Sequence, residues 1–453
     1  MKLQLLVLIL LISSLVVASA ASQPENQSRQ LMTLDPTGKY LVNQSTGKPT
    51  FMTGDCPQTI FVQASDADAE AYLKDRASRK FNVLWVLPVD KTDQANAPKN
   101  FYGQTPFDGA DFTNEDTAYW AHVDHVLQRI EAYGMVAIMD PGFVGVKNTD
   151  GYLASYLSSS DDVMTAYGAW IGKRYRNYPN IIWSLGGDAC PSARGVYQKL
   201  NDLAKGILST DPHSLLTLEA CREQSTMDAW TQPTPMNLNW VYGSYPTMQA
   251  RCASNYSRSS ALPAFAAEDF YEGEHSMTAL TVREETYWAV LSGCTLGRVF
   301  GNNAIWTMGG PLDTMGQTWQ SQLASNGSLT QQWQGALMRS REFWKLAPDS
   351  SNAVLAGGIG SGTSLSVAAC TSDGQTCIAY DPLGNSRAPQ IAMSHFSGAV
   401  HGWWFNPSSG VTTDLGTFTN SGTRTFRPPD GNDWVLVLDL KSANLPAPGS
   451  KDL

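Results

Sequence analysis

Asp55, Asp90, Asp140, Asp188, Glu219, Tyr242 and Glu268 each stand at or just past the end of a short apolar run, and no histidine stands among them. Such an oxygen-rich set suits carboxylate chemistry. Two carboxyl groups facing each other across a glycosidic bond can hydrolyse it: the protonated one helps the leaving oxygen depart, and the ionised one attacks or stabilises the anomeric carbon. The six histidines are scattered without ligand spacing and no CxxC occurs, so neither a metal site nor a cofactor is expected.

Asp188 is the better candidate for the acid. It follows the run Ile181, Ile182, Trp183, Ser184, Leu185 and then Gly186 and Gly187, an ending that lets a ligand approach the backbone closely. The competing reading is a helix cap ahead of Ala193. Glu268 ends the run 263–267 and has Asp269, Tyr271 and Glu272 beside it. A neighbouring phenol and further carboxylates are the usual means of holding a nucleophile and separating two pKa values. The competing reading is a solvated acidic loop, in which Asp269, Glu272 and Glu274 simply face water. Trp85, Trp183, Trp230, Trp240 and Trp306 lie at or near strand ends. Of these, Trp230 and Trp306 are the expected sugar-stacking pair, because the others sit inside runs that read as buried strand.

The elements that must carry these residues repeat. Apolar runs at 51–54, 82–88, 135–139, 181–186, 215–219, 237–242, 264–267 and 296–300 alternate with helical periodicity at 68–80, 118–133, 161–176, 193–209, 281–292 and 329–346. Repeated strand–helix units predict an α/β fold, and eight of them favour a closed (β/α)8 barrel, whose catalytic groups lie at the C-terminal ends of the strands. Ahead of the first run, residues 40–51 read as a short hairpin. Beyond Pro348 the helical period gives way to apolar–polar alternation between Gly, Asn and Asp turns. That predicts a small antiparallel β-sandwich over 351–446, after a catalytic domain over 30–348.

Composition narrows the function. The chain of 453 residues has a formal net charge of −10, which argues against nucleic acid or an anionic membrane as partner. The generous aromatic complement, 14 Trp and 17 Tyr, leaves room for faces on which sugar rings stack. Lys2, the apolar run 3–17 and the small residues 18–21 read as a secretory signal peptide over 1–21, and no later stretch is apolar and long enough to span a bilayer. Export makes disulfides the expected state of most of the seven cysteines. Cys370 with Cys377, around a turn, and Cys190 with Cys221, each just past a strand end, are the simplest pairs to propose. Sequons begin at Asn26, Asn43, Asn255 and Asn326.

Residues 51–55 (FMTGD), 71–83 (AYLKDRASRKFNV), 119–127 (YWAHVDHVL), 175–188 (YRNYPNIIWSLGGD) and 265–273 (FAAEDFYEG), in that order, resemble the apiosidase-like catalytic domain of glycoside hydrolase family 140. The tail resembles the small sandwich, labelled a collagen-binding domain, that often follows this barrel. The resemblance implies a retaining enzyme acting on plant-type cell-wall polysaccharide or its side chains, with Asp188 as acid/base and Glu268 as nucleophile. It further implies that Asp55 binds substrate hydroxyls or orients neighbours. The family more often has Gly before the nucleophile and Pro after it, where this chain has Ala267 and Asp269. Residues 219–230 replace a stretch that usually contains His, which implies a changed sugar subsite.

The resulting expectation is a secreted, monomeric glycosidase. Asp55, Asp90, Asp140, Glu219, Trp230, Tyr242, Tyr271 and Trp306 would bind its oligo- or polysaccharide. Two alternatives remain open at this point: a non-catalytic carbohydrate- or matrix-binding protein on a barrel scaffold, and a sandwich that only braces the barrel.

Overall fold

The structure is a computed structural model that describes residues 31–91, 95–146, 151–190 and 195–453. The expected signal peptide and the Asn26 sequon lie outside these residues. A short ribbon, Thr33–Leu34 against Leu41–Val42, leads into the chain. An eight-stranded, all-parallel sheet follows: β1 (Met52–Asp55), β2 (Val83–Val86), β3 (Val136–Met139), β4 (Ile181–Ala189), β5 (Leu216–Ala220), β6 (Asn239–Val241), β7 (Ala264–Ala266) and β8 (Gly297–Phe300). The ladder runs from β5 through β1 and β8 round to β6.

Those two outermost strands meet through a seam that mixes backbone and side-chain hydrogen bonds. Asn237 N–H donates to Leu216 O at 2.9 Å, and the Asn237 side chain accepts from Leu216 N at 2.8 Å. The Thr226 hydroxyl accepts from Trp240 N at 2.9 Å and donates to Leu218 O at 2.8 Å. With no bare edge left there, the sheet curls into a nearly closed barrel.

Side chains of a strand point alternately to opposite faces, and the core divides accordingly. Val83, Trp85, Val136, Ile138, Ile182, Trp240, Phe265 and Val299 belong to one cluster. Trp85 and Trp240, from strands that are not neighbours, meet edge to face with ring centroids 4.9 Å apart, so this cluster fills the barrel interior. Leu84, Val86, Ala137, Met139, Trp183, Leu185, Leu216 and Leu218 belong to a second, beneath the helices. The main helices are α1 (Asp66–Ser78), α2 (Thr117–Ala132), α3 (Asp161–Tyr175), α4 (Val196–Thr210), α5 (Met248–Tyr256), α6 (Ala279–Leu291) and α7 (Asn326–Arg339). Five of them begin on a side-chain cap: Ser65, Asp116, Ser160, Thr278 and Ser325 each accept from the amide three residues on.

Two expectations are corrected. The last helix ends at Arg339, and Leu346–Pro348 is instead a strand, because Leu346 to Pro348 pair antiparallel with Thr371 to Ala369. The region 248–256, which gave no helical signal, is α5; it buries Met248, Cys252 and Asn255, not an aliphatic stripe.

The tail forms two antiparallel sheets. Strands β9 (Leu346–Pro348), β10 (Leu355–Gly357), β11 (Val367–Thr371), β12 (Thr376–Asp381), β13 (Gln390–Ala392), β14 (Val400–Phe405), β15 (Thr412–Phe418), β16 (Thr423–Thr425) and β17 (Trp434–Leu440) divide into six and three. The central strands of the larger sheet, β11, β12 and β17, are buried on both faces. Along β17, Leu436 and Leu438 face the small sheet, while Val435 and Val437 pack with Tyr287, Trp288 and Leu291 of α6 and Leu337 and Met338 of α7. Two bidentate ion pairs join the halves: Arg341 to Asp439 at 2.7 and 2.9 Å, and Arg283 to Asp433 at 2.8 Å. Disulfides link Cys190–Cys221 and Cys370–Cys377, as the sequence suggested, and Cys252–Cys294. Cys56 is a buried thiol. No helix among the described residues is long and apolar enough to cross a membrane.

Candidate active site

A cleft of about 350 Å³ opens at the C-terminal ends of the barrel strands. Asp188 and Glu268 both line it, together with Asp90, Tyr271 and Trp306. Gln58, Glu274, Phe143 and the half-exposed Val146 and Leu312 also line it; of these the sequence points only to Glu274, and only as part of a solvated acidic loop. A strand-end search names the first polar residue past each run and overlooks Gln58 and Glu274, which lie three and six residues further on than Asp55 and Glu268.

The local backbone aims both carboxylates. Gly186, Gly187 and Asp188 take three successive left-handed conformations, with φ of 101°, 67° and 52°. A side chain at Gly187 would overlap the Phe143 ring, and the Gly186 and Gly187 carbonyls accept from Val144 N at 2.6 Å and Gly145 N at 3.0 Å. This coil breaks the register between β4 and β5 and turns Asp188 into the cleft. Glu268 is left-handed too, with φ of 55°, just after β7. A left-handed residue other than Gly is uncommon and carries strain that the surrounding structure must hold.

Phenols grip Glu268. Tyr271 donates to Oε2, and Tyr242 reaches Oε1 in a longer bond of 3.4 Å. The Tyr271 oxygen in turn accepts from Gln58 Nε2 at 3.1 Å and lies 3.2 Å from Cys56 Sγ. Burial pushes the Cys56 thiol and the Tyr271 phenol far up, so both keep their hydrogens. Trp306 is fixed from two sides, its indole donating to Glu274 at 2.8 Å and its carbonyl accepting from Thr59 at 2.7 Å.

The remaining expected contacts sit elsewhere. Asp55 is fully buried, accepting from Tyr72 at 2.7 Å, Arg76 at 3.1 Å and Cys56 N at 2.9 Å. Its carboxylate braces the root of the Cys56–Gln58 segment. Asp140 and Glu219 are likewise fully buried and are not among the residues that line the cleft. Trp230 lies outside the cleft, packing on Tyr197 and donating to Thr234 O at 2.7 Å. The acidic loop after Glu268 is not a solvated one. Asp269 pairs with buried Arg298, which also meets Glu285, and Glu272 accepts from Ser325 and Gly327 N at the start of α7.

Burial, and next the charge of Asp188, hold the Glu268 carboxyl well above the ordinary range, while the Tyr271 hydrogen bond opposes them. Glu219 is raised by burial and then by Glu268, Asp188 and Asp140, and burial takes Asp140 to about 7. Carboxyl groups crowded in this way cannot all ionise, so the cluster retains protons at neutral pH. Acid-assisted displacement at an anomeric carbon requires one carboxyl protonated and one ionised, and crowding of this kind keeps neighbouring carboxyls from ionising together.

A family profile described as the apiosidase-like catalytic domain matches residues 35–345. A second, described as "Putative collagen-binding domain of a collagenase", matches residues 348–439. Among solved structures, one titled a glycoside hydrolase superposes with a TM-score of 0.79 at 22% identity, over 92% of this chain and 98% of its own. A glycoside hydrolase family 5 structure from Bacteroides vulgatus gives a TM-score of 0.79 at 21% identity, covering 91% of this chain and 93% of its own. At such identities the likeness speaks to the fold. No curated protein matches the sequence significantly.

Proposed function

The chain belongs to the apiosidase-like family, and from that premise we propose that it is a secreted, retaining glycoside hydrolase acting on plant-type cell-wall polysaccharide or its side chains. Glu268 is the nucleophile and Asp188 the general acid/base. The observation that carries this reading is that these two carboxyls, from the ends of β4 and β7, line one cleft and are each held in left-handed backbone.

In the first step Asp188 protonates the departing oxygen while Glu268 attacks the anomeric carbon, giving a glycosyl-enzyme. In the second, Asp188 deprotonates water, which displaces Glu268 with net retention. Tyr271 and Tyr242 hold the two oxygens of Glu268 for in-line attack, and a sugar ring stacks on Trp306 at the wall. Asp90 lines the same cleft and takes a sugar hydroxyl. Disulfides among six of the seven cysteines are consistent with an oxidising, extracytoplasmic destination.

The test is to incubate the protein with a panel of plant polysaccharides and oligosaccharides, identify the released sugars by mass spectrometry, and follow the first-formed anomer by proton NMR. Release of a sugar whose anomeric configuration matches the substrate supports the reading. Inverted product removes the retaining mechanism. Binding without release favours the carbohydrate-binding alternative.

A further inference from the structure

Glu219 is a fully buried carboxyl directly behind the reacting pair. Its Oε1 accepts the backbone N–H of Asp188 at 3.1 Å, and its Oε2 has no hydrogen-bond partner among the described residues. The groups facing it are Asp140 from β3, Asp188 from β4, Tyr242 just past β6 and Glu268 just past β7. Arg222, three residues further along its own segment, is exposed and stacks on Phe270 with its Cζ 5.0 Å from the ring centre; its charge is engaged by Tyr242, Asp188 and Glu268 at the cleft side and not by Glu219. Three of the four facing groups are carboxyls. The fourth is a phenol, and none brings positive charge.

An ionised carboxylate there would be desolvated, with one oxygen unpartnered and three acids around it. Burying a charge without a partner is far costlier than burying a neutral acid. A neutral carboxylic acid still offers its carbonyl oxygen to an amide, which is the one hydrogen bond the Glu219 side chain makes among the described residues. That bond matters because it closes on the last residue of the left-handed run 186–188, where the register of β4 and β5 is already broken. The disulfide Cys190–Cys221 ties the two strand ends just beyond, so the Asp188 amide and the Glu219 side chain are presented to each other by a covalently closed frame.

Resting on the glycosidase reading above, we propose that Glu219 is a positioning residue for the reaction: a carboxylic acid that stays neutral through the catalytic cycle and fixes the strained Asp188 backbone through its carbonyl oxygen. It touches neither substrate nor reacting atoms. Burial, and then the charge of Glu268, hold its pKa well above the ordinary carboxyl range, in agreement with the geometric argument.

Two variants test this. Glu219→Gln keeps the carbonyl acceptor and the neutral state, so kcat should stay within about threefold of wild type with both limbs of the pH profile in place. Glu219→Ala removes the acceptor. Here kcat should fall by about 100-fold, the penalty typical of a slightly misplaced catalytic group, with KM changed by less than about threefold. Rescue by Gln and not by Ala is the signature. A Gln variant that loses as much as the Ala variant, or whose pH limbs move by about a unit, would overturn the proposal, because charge and not position would then be the contribution.

A second readout needs no substrate. In the infrared difference spectrum of wild type minus Glu219→Gln at neutral pH, a protonated-carboxyl band should appear. If wild type cleaves no glycan, the glycosidase reading fails while this band still decides whether Glu219 is neutral. Its absence would overturn the inference by itself.

Discussion

The phenol of Tyr271 donates to Oε2 of Glu268 from three residues further along the same loop, and its own oxygen accepts from Gln58. One hydroxyl thereby links the loops after β1 and β7. A hydrogen bond to a charged group contributes about 1.5–3 kcal/mol, so Tyr271→Phe should lower kcat/KM by about 10- to 100-fold with little change in melting temperature. The sign of the pH effect is fixed. The Tyr271 bond lowers the Glu268 pKa, so its loss should move the acid limb of kcat/KM to higher pH, read from initial rates across a buffer series. An unmoved limb would separate Tyr271 from the ionisation of Glu268.

The two carboxyls should respond differently to the leaving group. Asp188→Asn removes proton donation and should cost about 10²–10⁴-fold on natural glycans. An aryl glycoside whose phenol leaves without help should recover much of its glycosylation rate in that variant. Glu268→Gln should stay inactive on both substrates. Equal losses on the two substrates in Asp188→Asn would take the acid role away from it.

Arg298 is buried between Asp269 and Glu285, just outside the site. Removing the cation strands two buried acids, and breaking such a pair typically destabilises by about 3–5 kcal/mol. Arg298→Met should therefore show a urea midpoint lowered to match, measured by circular dichroism. A double change of Asp269 to Asn and Glu285 to Gln in the Met background should recover part of the loss, because no buried charge is then left unmatched.

Asp140 links stability to pH. In the folded chain burial raises its pKa to about 7, whereas an unfolded Asp titrates near pH 4 (about 3.9). Between those values the folded state binds the extra proton. The stabilisation is therefore complete below about pH 4 and is lost as pH rises through 7. Asp140→Asn, neutral throughout, lacks this dependence. The melting temperature of wild type minus that of the variant should fall steadily from pH 4 to pH 8, and parallel curves would refute a buried neutral Asp140.

Deleting the chain after Ser350 should give an aggregating barrel. The cut uncovers Tyr287, Trp288, Leu291, Leu337 and Met338, which pack with the six-stranded sheet, and leaves Arg341 without Asp439. Size-exclusion chromatography of the truncated and full-length proteins compares them directly. A soluble, active barrel would show that the tail does not brace it.

The strand ends were legible because a parallel strand buried on both faces is an uninterrupted apolar run, and the first acid after it announces the cleft. Gly186 and Gly187 marked the Asp188 turn for the same reason, since the left-handed coil there needs them. Helix α5 was not legible. Its buried face is Met248, Cys252 and Asn255, a sulfur and amide surface closed by the disulfide to Cys294, and no 3.6-residue apolar rhythm survives in it. Trp230 was placed in the mouth because it lies near a strand end and outside the runs that read as buried strand. The capped turn at Ser225 and Thr226, recruited to stitch the barrel seam, carries the chain away from the cleft first. Glu219 and Asp140 read as substrate contacts because an acid at a strand end carries the same letter whether it lines the cleft or, like these two, is buried outside its lining.

The six-stranded sheet, clamped between the barrel helices and its own smaller partner, also removes a hinge. Enzymes that close by swinging one lobe over another need a slippery, polar joint, and here the joint is an aromatic slab pinned by two forked guanidinium grips. Any gating of the cleft must then come from its rim, where Val146 and Leu312 stand out into solvent, and exchange of rim loops is the route by which this scaffold would acquire a new sugar preference.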